Sequence, residues 1–159
     1  MKKNLSILVN IILLIMIISI LLISIFWIPN MYNYFESLII RSNNKFTMKV
    51  LYYGLSYLII TIAIIVFSLA FKFSIAIKND KIFSIEISNI LKIIAILILV
   101  DCILFSNCII ILLFLKEFFI SPLLIFFCII GYAISFMLFI LCNYVKEASY
   151  LKEEAEYTL

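Results

Sequence analysis

The stretch Leu5–Ile28 reads LSILVNIILLIMIISILLISIFWI, twenty-four residues without one charged side chain. At about 1.5 Å of rise per residue, a helix of that length reaches about 36 Å, enough to cross a hydrocarbon core of about 30 Å. Three further runs follow: Val50–Phe71 between Lys49 and Lys72, residues 93–115 between Lys92 and Lys116, and Pro122–Val145 ahead of Lys146. All are continuous rather than alternating, which predicts membrane helices and excludes a β-barrel. Lys2 and Lys3 imitate the start of a signal peptide. The first run is too long for one and has no small-x-small cleavage site, so it reads as a retained span.

The composition supports this reading. Of 159 residues, 67% are hydrophobic and 13% charged, against about half and about a quarter in ordinary soluble domains. The mean hydropathy is +1.31. A soluble fold of this size cannot hide so much apolar surface. There is no histidine, so imidazole metal sites and Ser-His-Asp or Cys-His machinery are excluded. Two glycines leave no phosphate-binding loop, and the net charge of +3 is spread along the chain, unlike the face of a nucleic-acid binder. Cys102, Cys108, Cys128 and Cys142 all lie within apolar runs and read as small buried hydrophobes. Nothing suggests a cofactor, a metal or an enzyme.

The expected fold is all-α: one polytopic domain over 1–159, a four-helix bundle with spans at about 5–28, 50–71, 93–115 and 122–145. Polar pieces at 29–49, 72–91 and 116–121 connect them, and a tail covers 146–159. Ser121 and Pro122 are suited to open the fourth helix. Lys2, Lys3, Lys72, Lys78, Lys81, Lys92, Lys146 and Lys152 stand at one end, against Arg41, Lys45, Lys49 and Lys116 at the other. Basic residues favour the cytoplasmic side, so both termini are expected there. Trp27, Tyr32, Tyr34, Tyr52 and Tyr53 would form the outer aromatic belt, and Tyr144 would lie at the inner interface.

Asp101 is the one acid inside a span, about 13 Å along the helix from Lys92. Thr61 and Ser135 are expected at similar depth, as hydrogen-bond partners. One reading makes Asp101 a proton or cation relay, or a binding group for a cationic ligand. The other makes it a hydrogen-bonded acid that orients helices, and the lack of a second intramembrane acid or base favours this one. Asn10 and Asn107 are further polar groups that join helices, and Gly131 with Ser135 forms a notch for close approach. In the 72–92 segment Ser84 is the expected N-cap and Glu86 suits a helix start. The lysines of this segment are suited to anionic headgroups. The tail has helix-forming composition, with Lys152 and Glu156 spaced to pair.

Two stretches carry a family resemblance. Residues 79–86, Asn-Asp-Lys-Ile-Phe-Ser-Ile-Glu, followed by Leu91-Lys92-Ile93-Ile94, resemble the segment before the third span of bacterial four-span membrane proteins catalogued as domain of unknown function 2975. Residues 151–159, Leu-Lys-Glu-Glu-Ala-Glu-Tyr-Thr-Leu, are similar to that family's C-terminal signature. Ile87 stands where the family has asparagine, and Ala155 and Glu156 replace an Asn-Asp pair. The resemblance implies four spans and, because members are often encoded beside a small helix-turn-helix regulator, a regulatory partnership; it brings no catalytic residues.

The expected function is therefore a non-enzymatic protein of the bacterial cytoplasmic membrane that binds or restrains a cytoplasmic partner. Phe83, Ser84, Glu86, Lys152, Glu153, Glu154 and Glu156 are the docking candidates. The alternative is small-solute or ion transport, or an immunity role, through Asp101. The sequence gives no support for a homo-oligomer.

Overall fold

A computed structural model describes residues 2–39, 45–78, 83–114 and 121–157, with side chains at some helix ends left aside. Arg41, Asn43, Asn44, Asn79–Ile82, Lys116 and Thr158–Leu159 lie outside the described residues. So do the side chains of Lys2, Lys3, Tyr34, Glu36, Lys45, Ser121 and Glu156. The chain forms four helices: α1 (Lys2–Ile39), α2 (Lys45–Lys78), α3 (Ile85–Phe114) and α4 (Ser121–Tyr157). Each has a stretch long and apolar enough to cross a membrane: Ile7–Asn33, Tyr52–Ala76, Ile85–Ile110 and Leu124–Ala155.

The helices overrun the expected spans. An apolar run measures the membrane, whereas backbone hydrogen bonding continues until something stops it. Pro29 does not stop α1, which runs on to Ile39. A proline removes one N–H and crowds the carbonyl four residues back. Membrane helices nevertheless tolerate it, because neighbouring groups re-satisfy the freed backbone. Part of the expected 29–49 loop is thus helix. The 72–91 segment is likewise mostly helical, with α2 continuing to Lys78 and α3 starting at Ile85. Ser84 does cap α3: its Oγ accepts from the Ile87 N–H at 3.4 Å, and its carbonyl from the Ser88 N–H at 3.1 Å.

Packing follows chain order. The most extensive interface joins α3 to α4, then α1 to α2, then α2 to α3; among the described residues no other pair of helices touches. Where α2 meets the α3–α4 pair, Phe73 and Ala76 pack on a cluster of Ile87, Leu91 and Cys142. Leu13, Ser24 and Ile28 are the buried ones among the described residues of α1. Large apolar side chains such as Phe26, Phe136 and Met137 stand about two-thirds exposed, as expected of surfaces that face acyl chains.

Candidate functional site

The intramembrane polar groups lie mainly along α3 and α4. Among the described residues of α4 the buried ones are Cys128, Ser135, Cys142 and Ser149, each seven after the last. On α3 the residues opposite are Ser88, Ala95 and Cys102, also seven apart. Three rungs result. At one end Ser88 Oγ donates to the Cys142 carbonyl at 3.0 Å and lies 3.2 Å from its Sγ, while Cys142 Sγ donates to the Ser88 carbonyl at 3.3 Å. In the middle Ser135 Oγ donates to the Ala95 carbonyl at 2.8 Å. At the other end Cys128 Sγ donates to the Cys102 carbonyl at 3.4 Å. Ser106 Oγ donates to the same carbonyl at 2.8 Å and reaches Cys128 Sγ and Tyr132 OH, each at 3.1 Å.

Small side chains let the backbones come this close, and the hydroxyl and thiol groups satisfy one another where water is absent. At Gly131 a Cβ would run into Cys102 Sγ, so any larger residue forces that thiol or the helices to shift. The Gly131–Ser135 notch therefore faces α3, inside the molecule. The four cysteines are free thiols; Cys102, Cys128 and Cys142 are buried and Cys108 is partly so. Their polarity matters more than the apolar reading allowed, since two of them donate across the seam.

Asp101 does not join Thr61 or Ser135. Thr61 Oγ1 is exposed and donates to the Tyr57 carbonyl of its own helix at 2.7 Å, and the Ser135 hydroxyl is engaged at Ala95. Asp101 instead belongs to a second stripe of α3: Ile90, Ile94, Leu97, Asp101, Leu104 and Cys108, all partly or fully buried. That flank turns to α2, the other neighbour of α3, whose Phe73 and Ala76 pack beside Ile90 at one end of the stripe. Asp101 Oδ1 is buried there without a hydrogen-bond partner among the described residues, as is Asn10 Oδ1. Asn107 is exposed, its amide nitrogen donating to the Ile103 carbonyl at 3.0 Å. Among the described residues no three His, Cys, Asp or Glu side chains gather to hold a metal ion.

The docking candidates lie near one end of the molecule. Phe83 is exposed beside the Ser84 cap, and Glu86 is exposed in the first turn of α3. At the far end of α4 the helix continues unbroken to Tyr157, with Lys152, Glu153 and Glu154 exposed. Tyr150 and Leu151 are also exposed, and Lys146 Nζ lies 5.9 Å from the Tyr150 ring centre. Because α3 and α4 are antiparallel, the start of one meets the end of the other. Ser88 beside Cys142 places Phe83 and the tail on the same side of the membrane.

The opposite end gathers three of the five residues expected in the outer aromatic belt, Tyr32, Tyr52 and Tyr53. They pack in tilted and edge-on pairs with ring centres 5.2–5.7 Å apart, Tyr57 stacks on Tyr53 at 6.2 Å, and Lys49 Nζ sits 5.4 Å over the Tyr32 ring. Tyr52 OH donates to the Ile28 carbonyl at 3.2 Å, tying α2 to α1.

Four long apolar helices with lipid-suited outer faces define a multi-pass integral membrane protein. Over residues 40–159 the chain matches the family described as "Protein of unknown function (DUF2975)", and it belongs to that family. The match takes in α2, α3 and α4 and leaves out α1. No curated protein and no solved structure matches the chain.

Proposed function

We propose that this chain is a non-enzymatic protein of the bacterial cytoplasmic membrane, both termini cytoplasmic, that holds a cytoplasmic protein at the membrane surface. The observation that carries the proposal is the exposed, charged end of α4 beyond Val145, on the same side as Phe83 and Glu86. A helix bearing Leu151 and Tyr150 among Lys152, Glu153 and Glu154 offers a partner both apolar contact and charge, and charge complementarity gives specificity and speed of encounter. The eight basic residues at this end against four at the other support the orientation. A helix-turn-helix regulator encoded beside the gene is the partner the family resemblance suggests.

The test is co-purification of such a regulator with the full-length chain from native membranes, repeated with residues 151–159 deleted. Recovery should be lost on deletion and should fall with salt. Undiminished recovery without the tail would remove the docking role. Reporter fusions after Lys152 should read cytoplasmic and fusions at Asn43 external, and the reverse pattern would overturn the orientation.

One observation favours a second reading. The carboxyl oxygen of Asp101, which has no partner among the described residues, suits a group that waits for a cation or proton, as a transport or immunity role would need. Asp101→Asn would then abolish function in cells while leaving the protein folded.

A further inference from the structure

One flank of the α3–α4 pair has no helix against it among the described residues. Leu138 and Val145 pack where Phe73 and Ala76 bring in α2. Measured from the buried line Cys128–Ser135–Cys142, Leu138 is turned about 60° to that side of α4, whereas Tyr132 is turned about 40° to the other. Ser106 stands on the same outer flank of α3, because its Oγ lies 3.1 Å from Tyr132 OH. Asn107 follows it, exposed, about 10 Å along the helix from the Phe114 end of α3 and within the apolar stretch Ile85–Ile110. Around them Ile103, Ile110, Ile129 and Phe136 are 45%, 50%, 60% and 67% exposed.

We propose that this flank is where two copies of the chain meet inside the membrane, with Asn107 and the Ser106–Tyr132 pair at the centre of the interface. A carboxamide carries two N–H donors and a carbonyl acceptor. Asn107 spends one N–H on the Ile103 carbonyl, leaving the other N–H and the oxygen with no partner among the described residues. Acyl chains offer neither donor nor acceptor, and polar groups placed in lipid draw helices together. The amide complements its own image, which is what a two-fold interface requires, since the same patch faces itself. Beside it Ser106 gives its proton to the Cys102 carbonyl, so Tyr132 OH is the pair's donor and both oxygens can accept. Between Lys92 and Phe114 this flank carries no formal charge, so a two-fold brings no like charges together. The α3–α4 hairpins of two copies would then form a four-helix core, with α2 and α1 outermost on each side.

The experiment uses the full chain in native membranes. Phe136→Cys places a thiol on the proposed interface, and Phe26→Cys places one at a similarly exposed position on α1. Oxidation with copper phenanthroline should give a covalent dimer of twice the chain mass with Phe136→Cys, and little with Phe26→Cys or the parent. Asn107→Leu, read by energy transfer between labelled copies diluted into vesicles, should weaken association about threefold to thirtyfold, the span that intramembrane hydrogen bonds usually give. Equal yields at both cysteines, a product joined to a different protein, or association untouched by Asn107→Leu would each overturn the proposal. Leucine at an exposed position in lipid leaves folding intact, and the cysteine pair reads the interface without altering Asn107.

Discussion

The α1–α2 pair and the α3–α4 pair are both antiparallel couples of membrane helices, yet they are held in different ways. Between α3 and α4 the contact is close along three rungs seven residues apart, made by serine, alanine and cysteine. Between α1 and α2 the described polar tie is at one end, where Tyr52 reaches the Ile28 carbonyl within a group of tyrosines. In lipid there is no hydrophobic force to press helices together, so fit and hydrogen bonds decide. The seam between α3 and α4 has both along its length. The α1–α2 contact has large rings at the interface, where aromatic side chains prefer to lie in any case.

This contrast ranks the expected effects of substitution. The largest should come from Gly131→Leu, which forces atoms into the space held by Cys102 Sγ and pushes the helices apart; overpacking of this kind costs about 1–3 kcal/mol or more, and steric-trap or detergent unfolding of the purified protein measures it. Asp101→Leu should act in the other direction. The sequence-based expectation of a hydrogen bond to Thr61 or Ser135 predicts a loss, but the buried Oδ1 has no partner among the described residues. Removing it should therefore stabilise the protein by about 1–3 kcal/mol in the same unfolding assay. Ser135→Ala should cost about 0.6–2 kcal/mol, since it removes the middle rung without changing the backbone approach. Tyr52→Phe should cost less than that, because the rings keep their contacts and the 3.2 Å bond to the Ile28 carbonyl lies at the interface. Deleting residues 151–159 should change stability least, within about 1 kcal/mol, because exposed charges contribute little.

The spans were legible because twenty or more apolar residues between lysines match the thickness of a bilayer and far exceed what a soluble core helix buries. The helix ends were not, since Pro29 and the polar residues from Lys72 to Lys78 look like breaks in a hydropathy reading while the backbone continues through them. The seam was legible in part. Gly131 and Ser135 at a spacing of four suggested close approach, but the fuller signal is Cys128, Ser135, Cys142 and Ser149 every seven residues, matched by Ser88, Ala95 and Cys102. Reading each cysteine as one more hydrophobe hid that repeat. Similar depth was also too weak a guide for Asp101, because depth ignores which flank a residue occupies. Asp101 lies on the stripe of α3 facing α2, whereas Ser135 meets α3 along the other one. The N-cap at Ser84 could be read directly, since a serine before an apolar helical run with an acid two residues later has a local cause.

The register of the α3–α4 seam is the central structural claim, and thiol cross-linking tests it most directly. Ser88 Oγ lies 3.2 Å from Cys142 Sγ, so Ser88→Cys sets two thiols face to face. Oxidation of the membrane-embedded protein followed by peptide mass analysis should find a disulfide within one chain between residues 88 and 142, with none from the outward-facing Ile93→Cys. A bond from Ser88→Cys to Cys128 instead, or equal cross-linking by Ile93→Cys, would contradict the seam.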